Sequence, residues 1–241
     1  MKISYYAVVL TLFLGACVAP TTSIDLGAET PSRENFLFYI DKNTNLHSSE
    51  LLQKIKLPSE DYIVPSILNL LPNAKREYRA GTHEGIDFSV PLNAPVMAVA
   101  SGTVVRSNPQ HIDVDIDTYN TFLATSAQLN KTPDDIYNYI LLGKSVVIDH
   151  GYTITSKFRT ISVYAHLSSI PEGIVPGAQV EQGSIIGLSG NTGTSDGALK
   201  NDRGAHLHWE MHFDSANDRY FLGQNIPSNY LYNNIELLFD K

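Results

Sequence analysis

The chain is poor in cysteine, tryptophan and charge. Its 241 residues include one cysteine, Cys17, and one tryptophan. A single cysteine excludes an internal disulfide, so the fold must stand on its own core. Lysine and arginine number 17 against 25 acidic residues, a formal net charge of -8. With no basic excess to neutralise phosphates, nucleic acid is excluded as a partner. The same balance gives no general attraction to anionic polymers, so any such partner would have to be held by local contacts. Charged residues make up only 17% and hydrophobic ones 43%, which is the composition of a globular chain rather than a disordered one. No internal repeat is visible.

The N-terminus is built differently from the rest. Lys2 precedes an apolar run from about Tyr5 to Leu14, followed by Leu14-Gly15-Ala16-Cys17. A positive start, a short apolar stretch and small residues are the parts of a secretory signal. The run falls short of the ~20 residues a spanning helix needs. Leu-Gly-Ala-Cys resembles a bacterial lipobox, in which the cysteine is acylated and becomes the first mature residue. Ordinary cleavage near Ala16 or Ala19, with Cys17 incidental, is the alternative. Acylation of Cys17 implies an anchor of more than one acyl chain, which holds stably where a single chain does not. By the same resemblance, Val18 in place of aspartate implies secretion across the inner membrane and lodging in the outer membrane, facing the periplasm. The expected organisation is a signal peptide at 1–16, a flexible tether at 17–34, an N-terminal elaboration at 35–77, a main domain at 78–215 and a C-terminal extension at 216–241.

The elaboration has short apolar clusters, and two short helices are expected near Ser48–Ile55 and Pro65–Leu70. From Gly85 onward, β-type runs alternate with glycine-rich turns. Strands are expected at Ile86–Val90, Pro95–Ala100, Gly102–Arg106, Lys144–Asp149, Thr160–His166, Ser184–Ser189 and His206–Phe213. Their spacing, without regular helices between them, predicts a mainly β fold, an antiparallel sheet or sandwich. The insert at 107–143 is the exception. Thr118 is positioned to cap a helix over Tyr119–Leu129. Thr132-Pro133-Asp134-Asp135 has a capping threonine, proline at the first helical position and acids in the first turn. A helical hairpin is expected there, either as one wall of a cleft or as surface decoration.

Three elements carry chemistry. His83 and Asp87, four apart in His-Glu-Gly-Ile-Asp, can reach one metal if the chain turns at Gly85. His206 and His208 point to one face if they lie on a strand, while Leu207 and Trp209 point to the other. His166 stands at a strand end in Tyr164-Ala165-His166-Leu167. Alone, each has a plain structural reading: a coincidental surface pair, a polar sheet face, a structural histidine.

Together, and in this order, they resemble the lysostaphin-type (LytM-type) zinc endopeptidases. His83–Phe88, Pro95–Val105, Val146–Gly151, Val163–Leu167, Gly177–Gly183, Ile186–Gly193 and His206–Glu210 all follow the family pattern, over roughly residues 78–213. The resemblance implies one Zn²⁺ per chain held by His83, Asp87 and His208, with His166 and His206 as catalytic histidines that are not ligands. Three protein ligands leave zinc a fourth position for water, as in catalytic rather than structural sites. The implied reaction is hydrolysis of peptidoglycan stem peptides or crossbridges, at a D-alanyl–diaminopimelate bond or at a glycine bridge. A wall-binding regulator without activity is the alternative, as is a secreted protease acting on other proteins. The resemblance also makes His150 structural and gives His47, His111 and His212 no ligand position, leaving them as surface or packing residues. Glu210 is a candidate to orient a histidine, Tyr78 to reach an oxyanion, and Asn191 to shape the cleft-lining turn. The insert and the expanded stretch Thr194–Gly204 depart from the family pattern.

Overall fold

The computed structural model describes residues 32–60 and 62–240. The expected signal peptide, the Cys17 lipobox and the tether up to residue 31 lie outside the described residues. Among the described residues, no helix is long and apolar enough to cross a membrane.

The N-terminal elaboration opens with a hairpin of β1 (Phe36–Tyr39) and β2 (Asn45–His47). It turns on Asp41, whose Oδ1 accepts from the amides of Asn43 at 2.7 Å and Thr44 at 2.8 Å. The two short helices expected here are single 3₁₀ turns, Ser48–Glu50 and Leu68–Leu70. Pro58 and Pro65 restrict the residues before them to extended backbone, so no longer helix propagates. A second small hairpin, β3 (Lys75–Arg76) with β4 (Gly81–Thr82), leads into the main domain.

The main domain is one nine-stranded antiparallel sheet. It contains β5 (Gly85–Phe88), β6 (Pro95–Met97), β7 (Gly102–Ser107), β8 (Lys144–Gly151), β9 (Arg159–Ser169), β10 (Gln179–Val180), β11 (Ile185–Ser189), β12 (Leu207–Asp214) and β13 (Arg219–Phe221). The expected strands are present with shifted ends, and the short β10 and β13 add to them; β13 falls in the expected C-terminal extension, so the sheet runs past residue 215. The long β9 lies at the centre, paired with β8, β11 and β12.

Alternation along β12 decides the two faces. Leu207, Trp209, Met211 and Phe213 are fully buried in the main core, while His208, Glu210 and His212 point the other way. The N-terminal hairpin covers the core face, with the Phe38 ring stacked on Phe213 at 5.3 Å and on Tyr220 at 4.9 Å. Trp209 fills the centre, its ring 5.5 Å from Phe239 and 6.4 Å from Phe88. Replacing Trp209 with alanine is expected to cost about 3–5 kcal/mol, read from the urea midpoint of the purified chain.

The opposite face carries a smaller cluster, Val147, Ile161, Val163 and Ala165, capped by Leu142 and Tyr137 of the insert. The insert begins with α1 (Ile116–Gln128). It starts earlier than expected because Asp115 outcompetes Thr118 as the cap. The Asp115 carboxylate accepts from the amides of Asp117 and Thr118 and from the Thr118 hydroxyl. Next comes the single turn α2 (Asp134–Ile136), which runs into a π-helical segment at Tyr137–Leu141. Thr132 does not cap α2. Pro133 takes the N-cap position, and the Thr132 hydroxyl is bonded to Arg79. A short turn, α3 (Ser195–Ala198), follows β11. The C-terminal extension forms α4 (Ser228–Glu236), whose buried Asn234 donates to the carbonyls of Arg33 and Phe36 and accepts from Asn35 N–H, tying the extension to the hairpin.

Candidate metal centre

β5 and β12 pair so that Asp87 faces His208, Ile86 faces Trp209 and Gly85 faces Glu210. Directly paired residues share a face, so Asp87 and His208 meet above the sheet. Gly85 is required by close approach. A Cβ there would lie 2.5 Å from the Trp209 carbonyl oxygen and 2.9 Å from Cε1 of His208. Gly85→Ala is therefore expected to push β5 off β12 and weaken metal binding, measured by competition with a chromophoric zinc chelator. His83 enters from the turn before β5, its backbone bonded to Ala74 and Asn73.

Three donor atoms converge. His83 Nε2 lies 2.9 Å from Asp87 Oδ1 and 3.1 Å from His208 Nδ1, and His208 Nδ1 lies 2.8 Å from Asp87 Oδ1. The outer atoms show which inner ones carry lone pairs. His83 Nδ1 is 2.9 Å from the Leu71 carbonyl, which can only accept, so the ring proton sits there. His208 Nε2 is 2.8 Å from Glu210 Oε1 and donates to that carboxylate. In the neutral rings, His83 Nε2, His208 Nδ1 and Asp87 Oδ1 all bring electron pairs to one point. Such a set repels itself unless a cation sits among it, and two imidazoles with one carboxylate form a common zinc donor set. Without a metal, the same demand falls on a proton. Burial opposes charging His208, but its bonds to Asp87 and Glu210 outweigh burial and raise its pKa to about 9. Burial likewise works against the Asp87 carboxylate, and His208 and His83 overcome it to hold its pKa well below the usual value.

His166 and His206 stand beside this set. His166 occupies a bulge in β9. Lys144 pairs with Leu167 and Val146 with Tyr164, so Ala165 and His166 face Ser145 alone. His166 has a left-handed φ of 60°, a conformation costing a non-glycine residue about 1 kcal/mol. Its amide donates to Leu142 O at 3.0 Å, and its Nδ1 to Thr192 O at 2.8 Å. His206, bridged to Gly190, donates Nδ1–H to Gly204 O at 2.7 Å, and its Nε2 lies 3.9 Å from Asp87 Oδ1. Both rings are therefore anchored through Nδ1 and turn Nε2 away from their backbone partners. Their centroids are 4.7 Å apart, and the His166 ring is 5.6 Å from that of His208. Burial, then the neighbouring His206 and His208, hold the His166 pKa well below the ordinary imidazole value.

Several contributing residues were not singled out from sequence. Arg76 donates to Asp87 Oδ2 at 3.1 Å, leaving Oδ1 to face the histidines. Tyr137 of the insert donates its hydroxyl to Glu210 Oε1. Burial and Glu210 keep the pKa of that hydroxyl well above the usual phenol value. His212, left as a surface or packing residue, is buried and lies 2.7 Å from Glu210 Oε2. Glu210, the candidate to orient a histidine, is in hydrogen-bond contact with His208 and His212. Asn191 holds the cleft loop through the carbonyls of Asn201 and Arg203. His150 is structural, bonded to Ser101 O and Ser162 Oγ.

The site opens into a cleft of about 510 Å³. It is lined by Arg76, an exposed Tyr78, and Tyr119, Leu123, Tyr137 and Leu141 of the insert. The insert is thus a cleft wall and not a decoration. Beyond it, on the same sheet face, lies a second hollow of about 660 Å³ bordered by Glu84, Arg106 and His212. Arg79, Tyr137 and Leu142 line both hollows and stand between them.

Residues 81–219 match the family model described as Peptidase family M23. Among curated relatives, the peptidoglycan DD-endopeptidase ShyA of Vibrio cholerae is 30% identical over 133 residues, 55% of this chain and 21% of that protein. An uncharacterized metalloprotease of Haemophilus influenzae is 32% identical over 136 residues, 56% of this chain and 20% of that protein. The match thus spans about a fifth of the length of these relatives. Among solved structures, a zinc-containing peptidase from Vibrio cholerae matches at a TM-score of 0.44 and 21% identity, covering 70% of this chain and 39% of that one. The family match takes in His83, Asp87, His166, His206 and His208 and more than half of the chain: it belongs to peptidase family M23.

Proposed function

We propose that the chain is a zinc-dependent endopeptidase that hydrolyses peptide crosslinks in peptidoglycan. The observation that carries this reading is the convergence of three lone pairs from His83, Asp87 and His208 beside two further imidazoles, His166 and His206, each anchored to a backbone carbonyl through Nδ1. A zinc ion held by the first three supplies Lewis acidity to a water and to the scissile carbonyl. His166 is neutral at pH 7 by its lowered pKa, so its Nε2 can accept the proton of the attacking water and return it to the leaving amine. His206 is left to hydrogen-bond the oxyanion, for which its Nε2 must carry a proton. Arg76 keeps Asp87 bound through a single oxygen. The cleft lined by the insert, Arg76 and Tyr78 gives an extended peptide a place to lie beside the site.

The substrate class is supported by the family and by the named activity of ShyA. Between the two bonds open from sequence, the D-alanyl–diaminopimelate crosslink is favoured by that relative. A regulator without activity would have no use for five histidine and aspartate side chains brought to one point. Purified chain incubated with sacculi should release muropeptides cut at this crosslink, identified by mass spectrometry. Casein in parallel should stay intact, and chelation of zinc should stop the release. A chain that carries zinc yet leaves sacculi uncut would sink the proposal. The lipid on Cys17 belongs to the same proposal and rests on the Leu14–Cys17 motif alone. Cys17→Ala should move the protein from the membrane fraction to the soluble one.

A further inference from the structure

We infer that Tyr137, carried by the insert, is a positioning residue for the metal site, fixing the His208 ring through Glu210. The inference rests on the functional reading above, because it takes His208 as a ligand.

Glu210 is buried on the same strand face as His208, two residues along β12. Its Oε1 receives both the Nε2–H of His208 and the hydroxyl of Tyr137, while Oε2 faces Nε2 of His212. A carboxylate turns freely about its last torsion unless its oxygens are held. Here His212 faces one oxygen, and the other, which takes the His208 proton, is held in addition by Tyr137, so the hydroxyl bears on the oxygen that sets the imidazole's angle. Tyr137 supplies a donor from above the sheet, an element 73 residues away in the chain. Partners of this kind fix a ligating histidine's tautomer and ring angle.

Tyr137 is itself braced. The Arg79 guanidinium lies 5.1 Å from the centre of its ring, and Arg79 is tied to Thr132 Oγ1 at 3.1 Å and Thr82 O at 2.8 Å. The π-helical turn sets the residue's height, with Leu142 N–H bonding Tyr137 O at 3.0 Å, five residues back. The same turn ends at Leu142, whose carbonyl accepts the His166 amide at 3.0 Å. One segment of the insert thus steadies a metal ligand through its side chain and the candidate base through its backbone. Packing alone does not require a tyrosine here. Phenylalanine would fill the same space against the small cluster on this face, so the hydroxyl is the part to be explained.

The test is zinc affinity of the full chain, measured by competition with a chromophoric chelator, together with the visible spectrum of the Co²⁺-loaded protein. Tyr137→Phe is expected to weaken zinc by about 10-fold, the low end for losing a partner of a ligating histidine, and to shift the cobalt bands. In a Glu210→Gln background, the same change should add less than about 2-fold, because two residues on one path are not additive. Ile140→Ala, which loosens the apolar packing of the insert without touching Glu210, should leave both readouts as in the wild type. Unchanged affinity and spectrum in Tyr137→Phe would overturn the inference. So would an equal loss in the Glu210→Gln background or in Ile140→Ala. A wild-type chain that takes up no zinc would overturn the functional reading and this inference with it.

Discussion

His166→Ala is expected to lower kcat on sacculi by about 10²–10⁴-fold, the range for removing a general base, while zinc stays bound at one ion per chain. The separation follows from geometry. The His166 ring is anchored to Thr192, and the three converging donors belong to His83, Asp87 and His208. Its backbone amide keeps its bond to Leu142 in the alanine variant, so the bulge survives. The left-handed φ suits histidine somewhat better than alanine, so the variant is expected to be slightly less stable, which the unfolding midpoint of the same sample reads separately from kcat. His206→Ala should act in the same direction through loss of the oxyanion contact, with a drop of about 10²–10³-fold. The double variant should fall little further than the worse single one, because groups that serve one transition state are not additive. Rates come from muropeptide release under saturating sacculi, and zinc from elemental analysis of the same sample. A His166→Ala protein with full zinc and kcat within about 5-fold of wild type would remove His166 from the proton path.

The sequence reading reached those parts of the site that obey local rules. His206-Leu207-His208 was readable because a strand repeats every two residues, and β12 does place His208 on the face opposite Leu207 and Trp209. His83 and Asp87 were readable as a pair four apart, but the expected turn at Gly85 is not there: Gly85 is the first residue of β5, where the lack of a side chain permits close approach to β12. The bulge that aims His166 was not readable. It depends on β8 and β9 differing by one residue between two pairing points, which neither strand shows alone. Arg76 and Tyr137 were also missed, since each acts on a residue distant in the chain and the surrounding sequence gives neither a signature. Asp115 and Thr118 are both good caps, and local propensity does not choose between them. The aspartate wins because its two oxygens take three donors, two of them the amide and hydroxyl of the threonine itself. The first hairpin did carry a signal in Asp41-Lys42-Asn43-Thr44, a turn between alternating apolar residues, which the apolar clusters masked.

Asp87→Asn should abolish zinc-dependent activity and, unusually for a buried ionic site, leave the metal-free fold as stable as before. Arg76 donates to Oδ2 and needs an acceptor there, so the amide oxygen of an asparagine would turn toward Arg76. Its NH₂ group would then point at His83 Nε2 and His208 Nδ1, atoms that lie 2.9 and 2.8 Å from the present Oδ1. Two donors would meet two lone pairs, so the demand that a proton on His208 meets in the metal-free wild type would be met by the amide's hydrogen bonds instead. The substitution thus exchanges an acceptor for a donor at the point where a metal needs acceptors. Zinc affinity should fall by more than the ~10–100-fold that loss of an outer partner costs. Thermal unfolding with and without added metal separates these effects. At zinc 100-fold above its Kd, the wild type should gain about 2.7 kcal/mol, seen as a rise in Tm. The Asp87→Asn protein should show no rise, with a metal-free Tm at or above that of the metal-free wild type. A metal-free Tm well below wild type would mean that the carboxylate's charge stabilises the fold through Arg76 and the histidines, and that the cluster is a structural ion network before it is a metal site.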